Sequence, residues 1–208
     1  MVYSAAQHRS AVRQQNSDTK TDPHVAHPLL IGITYSPWSY KARWALDWHG
    51  INYRYQEYLL MLGQVKLRAQ LRQRAHATVP AMISADTKLR DSFEIAKWAD
   101  QQQGGTDLQT NTAEVAQWNQ ISESILRLGR IRCALSVQDD PAGLRASVPP
   151  PMNKLPGATQ LAKLGVRYIL KTYPINTQVS EIEKQCATHL ATVESGLSEQ
   201  DFLLGTPS

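Results

Sequence analysis

The chain has 208 residues, of which 42% are apolar and 19% are charged, and its formal net charge is +4. This balance is typical of a globular protein and excludes a disordered chain. No run approaches the roughly 18 consecutive apolar residues of a membrane helix, so we expect no membrane partner.

Residues 1–28 are rich in Gln, Ser, His and Asp and show little periodicity. We predict a disordered N-terminal extension. Its first 17 residues contain Arg9 and Arg13 and no acid, which weakly resembles an organellar transit peptide. The alternatives to a transit peptide are a plain disordered extension and a start codon placed too early. We expect a cytoplasmic protein.

Strand and helix patterns alternate from residue 29 onward. Short apolar or alternating runs predict strands, and apolar residues at helical spacing predict helices. The predicted strands are 29–34, 53–58, 79–84 and 88–90, and the predicted helices are 37–49, 64–76 and 92–103. The order β-α-β-α-β-β-α predicts an α/β, thioredoxin-like domain over residues 29–104.

The chain becomes all-helical after Gly105. Helical periodicity predicts helices over 112–135, 159–173 and 177–196, with a Pro-rich connection over 136–158. We therefore expect an all-α second domain over residues 105–208. Cys133 and Cys186 lie on apolar stripes and form no CxxC motif, so we predict buried free thiols in a reducing compartment and no metal site.

Four basic residues lie close together after the second predicted strand: Lys66, Arg68, Arg72 and Arg74. Such a cluster could bind nucleic acid. It is short and has no interleaved aromatic residues, which favours a solvated face or mild attraction for an anionic small molecule. We expect no nucleic-acid partner.

The pair Ser36-Pro37 stands between a predicted strand and a predicted helix. Ser is a good N-cap and Pro is favoured at the first helical position, so the pair could serve only to begin the helix. Alternatively, the Ser36 hydroxyl donates to a bound thiolate while the helix N–H groups lower the pKa of that thiol. Ser39 and Tyr35 are further candidate donors, and the Ser-x-x-Ser spacing excludes dithiol redox chemistry.

Two further residue pairs can likewise be interpreted as purely structural or as part of a ligand site. Val79-Pro80 could simply begin an edge strand, or it could form a cis-Pro turn whose main chain pairs with a peptide ligand. Asp91-Ser92 could have no role beyond capping a helix. Alternatively, the Asp91 carboxylate accepts from a ligand ammonium, and Ser92 binds a ligand carboxylate at the helix N-terminus.

Residues 29–103 resemble the N-terminal domain of soluble glutathione transferases, most closely the tau and omega classes. The resemblance rests on the positions and spacing of Ser36-Pro37-Trp38, Lys41, Arg43, Val79-Pro80 and Asp91-Ser92. It implies that glutathione is the co-substrate, with Ser36 catalytic and with Val79, Pro80, Asp91 and Ser92 binding glutathione. It also implies a homodimer, and a second-substrate pocket for a hydrophobic electrophile near Trp38 and Trp118.

The chain departs from the family pattern at three points. Asp91 is one methylene shorter than the usual Glu, and Thr78 stands where tau-type chains often carry Lys. The third departure is at Ser208, because in the family this position caps a long buried helix, so we expect a second domain that lacks its central helix.

The resemblance implies an enzyme that conjugates the glutathione thiolate to electrophiles in detoxification. The alternatives are a glutathione-dependent isomerase and a non-catalytic binding protein, since fold does not fix function.

Overall fold

The computed structural model describes residues 27–60, 63–102, 104–148, 151–174, 178–198 and 203–204. The predicted N-terminal extension, apart from its last two residues, lies outside the described residues. Most of the segment 202–208, on which the expectation of a missing helix rests, also lies outside them.

Four short strands form one mixed sheet in the order β2-β1-β3-β4. They are β1 (Leu29–Gly32), β2 (Arg54–Glu57), β3 (Ala81–Ile83) and β4 (Lys88–Leu89). β1 is parallel to β2 and antiparallel to β3, and β3 is antiparallel to β4. The parallel pair requires a crossover, which the first helix provides.

Three helices cover the two faces of this sheet: α1 (Pro37–Trp48), α2 (Gln64–Leu71) and α3 (Ser92–Asp100). Successive strand residues point to opposite faces, so Leu30 and Met82 pack with α1 and α3, whereas Ile31 and Ala81 pack with α2. The predicted thioredoxin-like order is therefore confirmed, with each predicted element ending one to five residues early.

The rest of the described chain is helical. Its helices are α4 (Ala113–Val137), α5 (Pro141–Ala146), α6 (Ala158–Thr172) and α7 (Val179–Gly196), with one 3-10 turn over Met152–Lys154. α4 packs against α5, α6 and α7 through two apolar clusters, one around Leu144 and Val166 and one around Ile131 and Ile182. None of the described helices is long and apolar enough to cross a membrane.

Two expectations about the helical part are wrong. Residues 136–158 contain α5 and the 3-10 turn rather than only a connection. Pro141 occupies the first turn of α5, where its fixed φ suits a helix, and Asp140 Oδ1 accepts from Ala142 N at 2.9 Å. Cys133 is exposed rather than buried, and Cys186 is half-buried; neither forms a disulfide.

A network of hydrogen bonds fixes the segment between the sheet and α4. Asp100 accepts from Leu108 N at 2.7 Å, from Thr110 N at 3.0 Å and from Thr110 Oγ1 at 2.6 Å. The buried His49 ring contacts both Asp100 Oδ1, at 3.3 Å, and Gly104 O. Burial acts to raise the pKa of Asp100, but the hydrogen bonds from Thr110 and Leu108 outweigh it and lower that pKa.

Candidate functional site

Ser36 stands immediately before α1 with Pro37 in the first turn, as the sequence predicts. Its backbone is extended, with φ −77° and ψ 126°, and its N–H donates to Ile33 O at 2.9 Å. The side chain makes no capping hydrogen bond, although Ser at this position usually does. The half-buried hydroxyl is therefore not used by the helix that it begins.

The two alternative donors have different surroundings. Ser39 is fully buried, and its Oγ accepts from Ile33 N at 3.0 Å, so it closes the turn between β1 and α1. Gly32 is needed beside it, because a Cβ at that position would lie 2.8 Å from Ser39 Oγ. Tyr35 is 62% exposed. Burial therefore separates Ser39 from a ligand, whereas Ser36 and Tyr35 are accessible.

The peptide bond between Val79 and Pro80 is cis. Pro80 is buried and Val79 is half-buried, and both precede β3. Within the described residues the main-chain N–H and C=O of Val79 form no hydrogen bond. These two groups can therefore pair with an extended ligand.

Asp91 caps α3 in the ordinary way. Its Oδ1 accepts from Phe93 N at 2.7 Å and from Glu94 N at 3.3 Å. Ser92 follows it and is 1% exposed, yet its Oγ has no hydrogen-bond partner among the described residues. A buried hydroxyl without a partner is uncommon and costs free energy, so Ser92 has capacity for a ligand acceptor or donor.

Strand register brings the three candidate pairs to one end of the sheet. Ile31 pairs with Ala81, so Val79-Pro80 lies beside the turn that leads from β1 to Ser36. Met82 pairs with Leu89, and continuing this antiparallel course brings Asp91 toward Pro80. The N-termini of α1 and α3 thus lie at the same end, and N-termini favour bound anions.

The two predicted pocket tryptophans have separate surroundings. Trp38 Nε1 donates to Glu123 Oε2 on α4 at 2.7 Å, at the boundary between the sheet and the helical part. Trp118 instead lies against the C-terminal end of α7, where a Cβ at Gly196 would approach its ring to 2.8 Å. Of these two residues, Trp38 is the one next to Ser36.

Sequence analysis missed the polar residues of α4 that meet α1. Lys41 Nζ lies 2.7 Å from Glu123 Oε1 and 2.9 Å from Asn119 Oδ1. Burial acts to raise the pKa of Glu123, but hydrogen bonds from Lys41 and Trp38 outweigh it and lower that pKa. The only sequence signal was the offset of Lys41 from Ser36, and nothing in α4 identified its partner.

The arrangement suits a thiol-containing peptide. The Ser36 hydroxyl and the α1 N-terminus can stabilise a thiolate, and Ser92 with the α3 N-terminus can bind a carboxylate. Among the described residues, no group of three or more His, Cys, Asp or Glu side chains is placed to hold a metal ion.

Comparison with known proteins shows that the sheet domain is similar to one family. Residues 30–107 match the family model of the glutathione S-transferase N-terminal domain. The sheet domain of this chain is therefore similar to the N-terminal domain of glutathione transferases. No curated protein sequence matches the chain.

Solved structures share the fold over most of this chain. Glutathione transferase GSTFuA2 of Phanerochaete chrysosporium is 17% identical with a TM-score of 0.57, covering 86% of this chain and 78% of that one. CsGST63524 of Ceriporiopsis subvermispora, in complex with glutathione, is 17% identical with a TM-score of 0.54 and covers the same shares. Glutathione transferase F7 of Populus trichocarpa is 18% identical with a TM-score of 0.52, covering 86% and 74%. The chain thus has the glutathione transferase fold, while its likeness to the tau and omega classes stays a prediction.

Proposed function

We propose that this protein is a glutathione transferase that conjugates the glutathione thiolate to electrophilic small molecules. The observation that carries the proposal is the Ser36 hydroxyl, which stands at the N-terminus of a 12-residue helix without capping it. A hydroxyl that donates to sulfur, together with the positive end of the helix dipole, favours thiolate over thiol. The bound thiol then has a lowered pKa.

The other candidate residues would hold the rest of glutathione. The main-chain groups of Val79, which form no hydrogen bond within the described residues, would pair with the cysteinyl unit in the manner of a strand. Ser92 Oγ and the α3 N-terminus would bind the γ-glutamyl carboxylate. Asp91 Oδ2, which makes no hydrogen bond within the described residues, would accept from the γ-glutamyl ammonium.

The reaction needs little from the protein beyond pKa and orientation. With an aryl halide, the thiolate sulfur attacks the ring carbon that carries the halogen and a C–S bond forms. The C–halogen bond breaks, halide leaves with the electron pair, and the thiol proton has already passed to solvent. The electrophile would bind beside Trp38, between the sheet and α4.

The test is the thiolate fraction of bound glutathione, measured by ultraviolet absorbance as a function of pH. In the Ser36→Ala variant we expect the pKa of the bound thiol to rise by about one unit, because one hydrogen bond to the charged form is lost. Glutathione affinity should change less. Tyr35→Phe, which removes the other accessible hydroxyl, is the matched control. Equal thiolate fractions in the wild type and Ser36→Ala would refute the role of Ser36.

A specific observation favours a second candidate, a glutathione-binding protein without turnover. The Asp91 carboxylate is shorter than the Glu of the family, and one of its oxygens is occupied in capping α3. Retention on immobilised glutathione without conjugation of any electrophile would support this candidate.

A glutathione-dependent isomerase would use the same site on a different second substrate.

The compartment, the physiological role and the oligomeric state are also part of the proposal. We place the enzyme in the cytoplasm, in detoxification, as a homodimer. The exposed free thiol of Cys133 supports a reducing compartment, where such thiols persist.

A further inference from the structure

Arg130 of α4 lies between two aromatic rings at the boundary of the sheet and the helical part. Its guanidinium carbon is 4.7 Å from the centre of the Trp38 ring and 3.7 Å from that of Tyr173. Guanidinium groups stack favourably on aromatic faces. The side chain is therefore held in one place by residues from two parts of the chain.

This cation has no anionic partner within the part of the chain that the structure describes. Arg130 makes no ion pair there, and its buried Nε–H has no acceptor. The nearby Glu123 has Oε1 bound to Lys41 and Oε2 bound to Trp38. The Arg130 side chain is half-buried, and charges that lose part of their contact with water are normally paired, so the guanidinium can bind a further anion.

The electrostatic surroundings agree with this geometry. Burial has the largest effect and lowers the pKa of Arg130, and the like charge of Arg127 acts in the same direction, whereas Tyr173 and Glu123 act to raise it. An arginine nevertheless stays protonated at neutral pH. A bound anion would act in the same direction as Glu123 and favour the charged guanidinium.

The position of Arg130 relates it to the reacting thiol. Trp38, on which it stacks, is two residues after Ser36, in the first turn of α1. A molecule held at Arg130 therefore lies beside the helix whose N-terminus would bind the thiolate.

We propose that Arg130 binds an anionic group of the second substrate, so that the enzyme prefers electrophiles that carry a carboxylate or a sulfonate. This inference deepens the proposed transferase function. The claim that the bound anion belongs to a substrate rests on that function, but the claim that Arg130 binds an anion does not. The planar guanidinium presents two parallel N–H donors, which match a carboxylate.

Binding without glutathione tests the site independently of any turnover. We would titrate the protein calorimetrically with 4-nitrobenzoate and with the neutral isostere 4-nitrobenzamide. The wild type should bind the benzoate more tightly than the amide. Arg130→Met should weaken the benzoate by about tenfold, the usual scale of a charge-assisted hydrogen bond, and leave the amide almost unchanged.

Matched variants separate charge from packing. Arg127→Met removes an exposed, solvent-screened arginine one turn earlier on the same helix and should change the preference much less than Arg130→Met does. Arg130→Lys keeps the charge without the planar fork and should retain part of it. If Arg130→Met does not unfold cooperatively, it is not a usable variant. The preference of the wild type for 4-nitrobenzoate over 4-nitrobenzamide, and the loss of part of that preference in Arg130→Lys, then test the proposal. An equal affinity of the wild type for both ligands would overturn the proposal.

Turnover gives the second readout. The substrates 4-chloro-3-nitrobenzoate and 4-chloro-3-nitrobenzamide share one leaving group, so the ratio of their kcat/KM values reports the anion site. Arg130→Met should lower the benzoate-to-amide ratio about tenfold. An unchanged ratio would overturn the inference. Anion-selective binding without conjugation of either substrate would overturn the transferase proposal and leave the anion site standing.

Discussion

The indole Nε1 of Trp38 donates a 2.7 Å hydrogen bond to Glu123 Oε2, which ties the first turn of α1 to the middle of α4. Lys41 Nζ takes the other oxygen of the same carboxylate, also at 2.7 Å. Because both partners lie on α1, the contact fixes the helix that begins at Ser36 relative to the helical part. The side chain of Glu123 is only 17% exposed, so solvent screens this contact weakly.

Replacing Glu123 by Gln should destabilise the protein by about 1–3 kcal/mol. The amide keeps the shape of the side chain but removes the charge that pairs with Lys41. Urea unfolding measures the change. Glu183→Gln is the control, because its ion pair with Arg132 at 2.8 Å has partners that are 42% and 55% exposed. Such surface pairs contribute less than about 1 kcal/mol, and an equal loss in the two variants would contradict the importance of the Trp38–Glu123 contact.

Acid should destabilise the fold through Asp100 and Glu123, whose pKa values are both lowered in the folded state. A carboxyl group with a lower pKa in the folded than in the unfolded state contributes stability above its unfolded pKa. That contribution is lost as the pH falls through the folded pKa. We therefore expect a free energy of unfolding that is steady from neutral pH to about pH 5 and then declines.

The variant Asp100→Asn tests the assignment of this decline. It removes the charge that accepts from Thr110 and Leu108, so stability at neutral pH should fall. The decline below about pH 5 should become shallower, because one titrating group is gone. Urea midpoints at neutral pH and at about pH 4 give both quantities. A variant that loses as much stability on acidification as the wild type would show that Asp100 is not responsible.

The sequence predicted what depends on short stretches of chain. The seven elements of the sheet domain follow from local periodicity. Ser36 and Val79 each precede a proline at an element boundary, and Asp91 stands at a helix start as an N-cap residue. Strand order then follows from the thioredoxin-like resemblance, and with it the meeting of these residues at one end of the sheet.

The features that the sequence did not predict depend on contacts between distant residues or on how neighbouring elements pack around a residue. The partner of Trp38 lies 85 residues away, and no local pattern connects the two. The sequence predicts Pro141 in a connection, because a proline begins a helix only where the following residues can pack, as Leu144 does. The exposure of Cys133 follows from the rotation of α4, which periodicity gives only approximately.

The two roles of Asp91 can be separated by replacing it with Asn. Asn is as good an N-cap as Asp, so the helix should remain, with a stability loss of about 0.3–1 kcal/mol from the missing charge at the α3 N-terminus. Asn cannot pair ionically with the γ-glutamyl ammonium, so glutathione affinity should fall severalfold. Thermal unfolding with and without glutathione measures both effects. An unchanged affinity would leave Asp91 with its capping role alone.

Ser92→Ala should have opposite effects on the free protein and on its complex. The Ser92 Oγ is buried without a partner among the described residues, so removing it should leave the stability of the free protein unchanged or slightly higher.

If Ser92 Oγ binds the γ-glutamyl carboxylate, the stabilisation by glutathione should be strongly reduced in this variant. In the wild type, glutathione at about 100 times its Kd should add roughly 2.7 kcal/mol. Ser39→Ala is the matched control, because it removes a buried hydroxyl that accepts from Ile33 N at 3.0 Å. It should lower the stability of the free protein by about 1 kcal/mol and keep the glutathione-induced shift. A full shift in Ser92→Ala would remove Ser92 from the binding site.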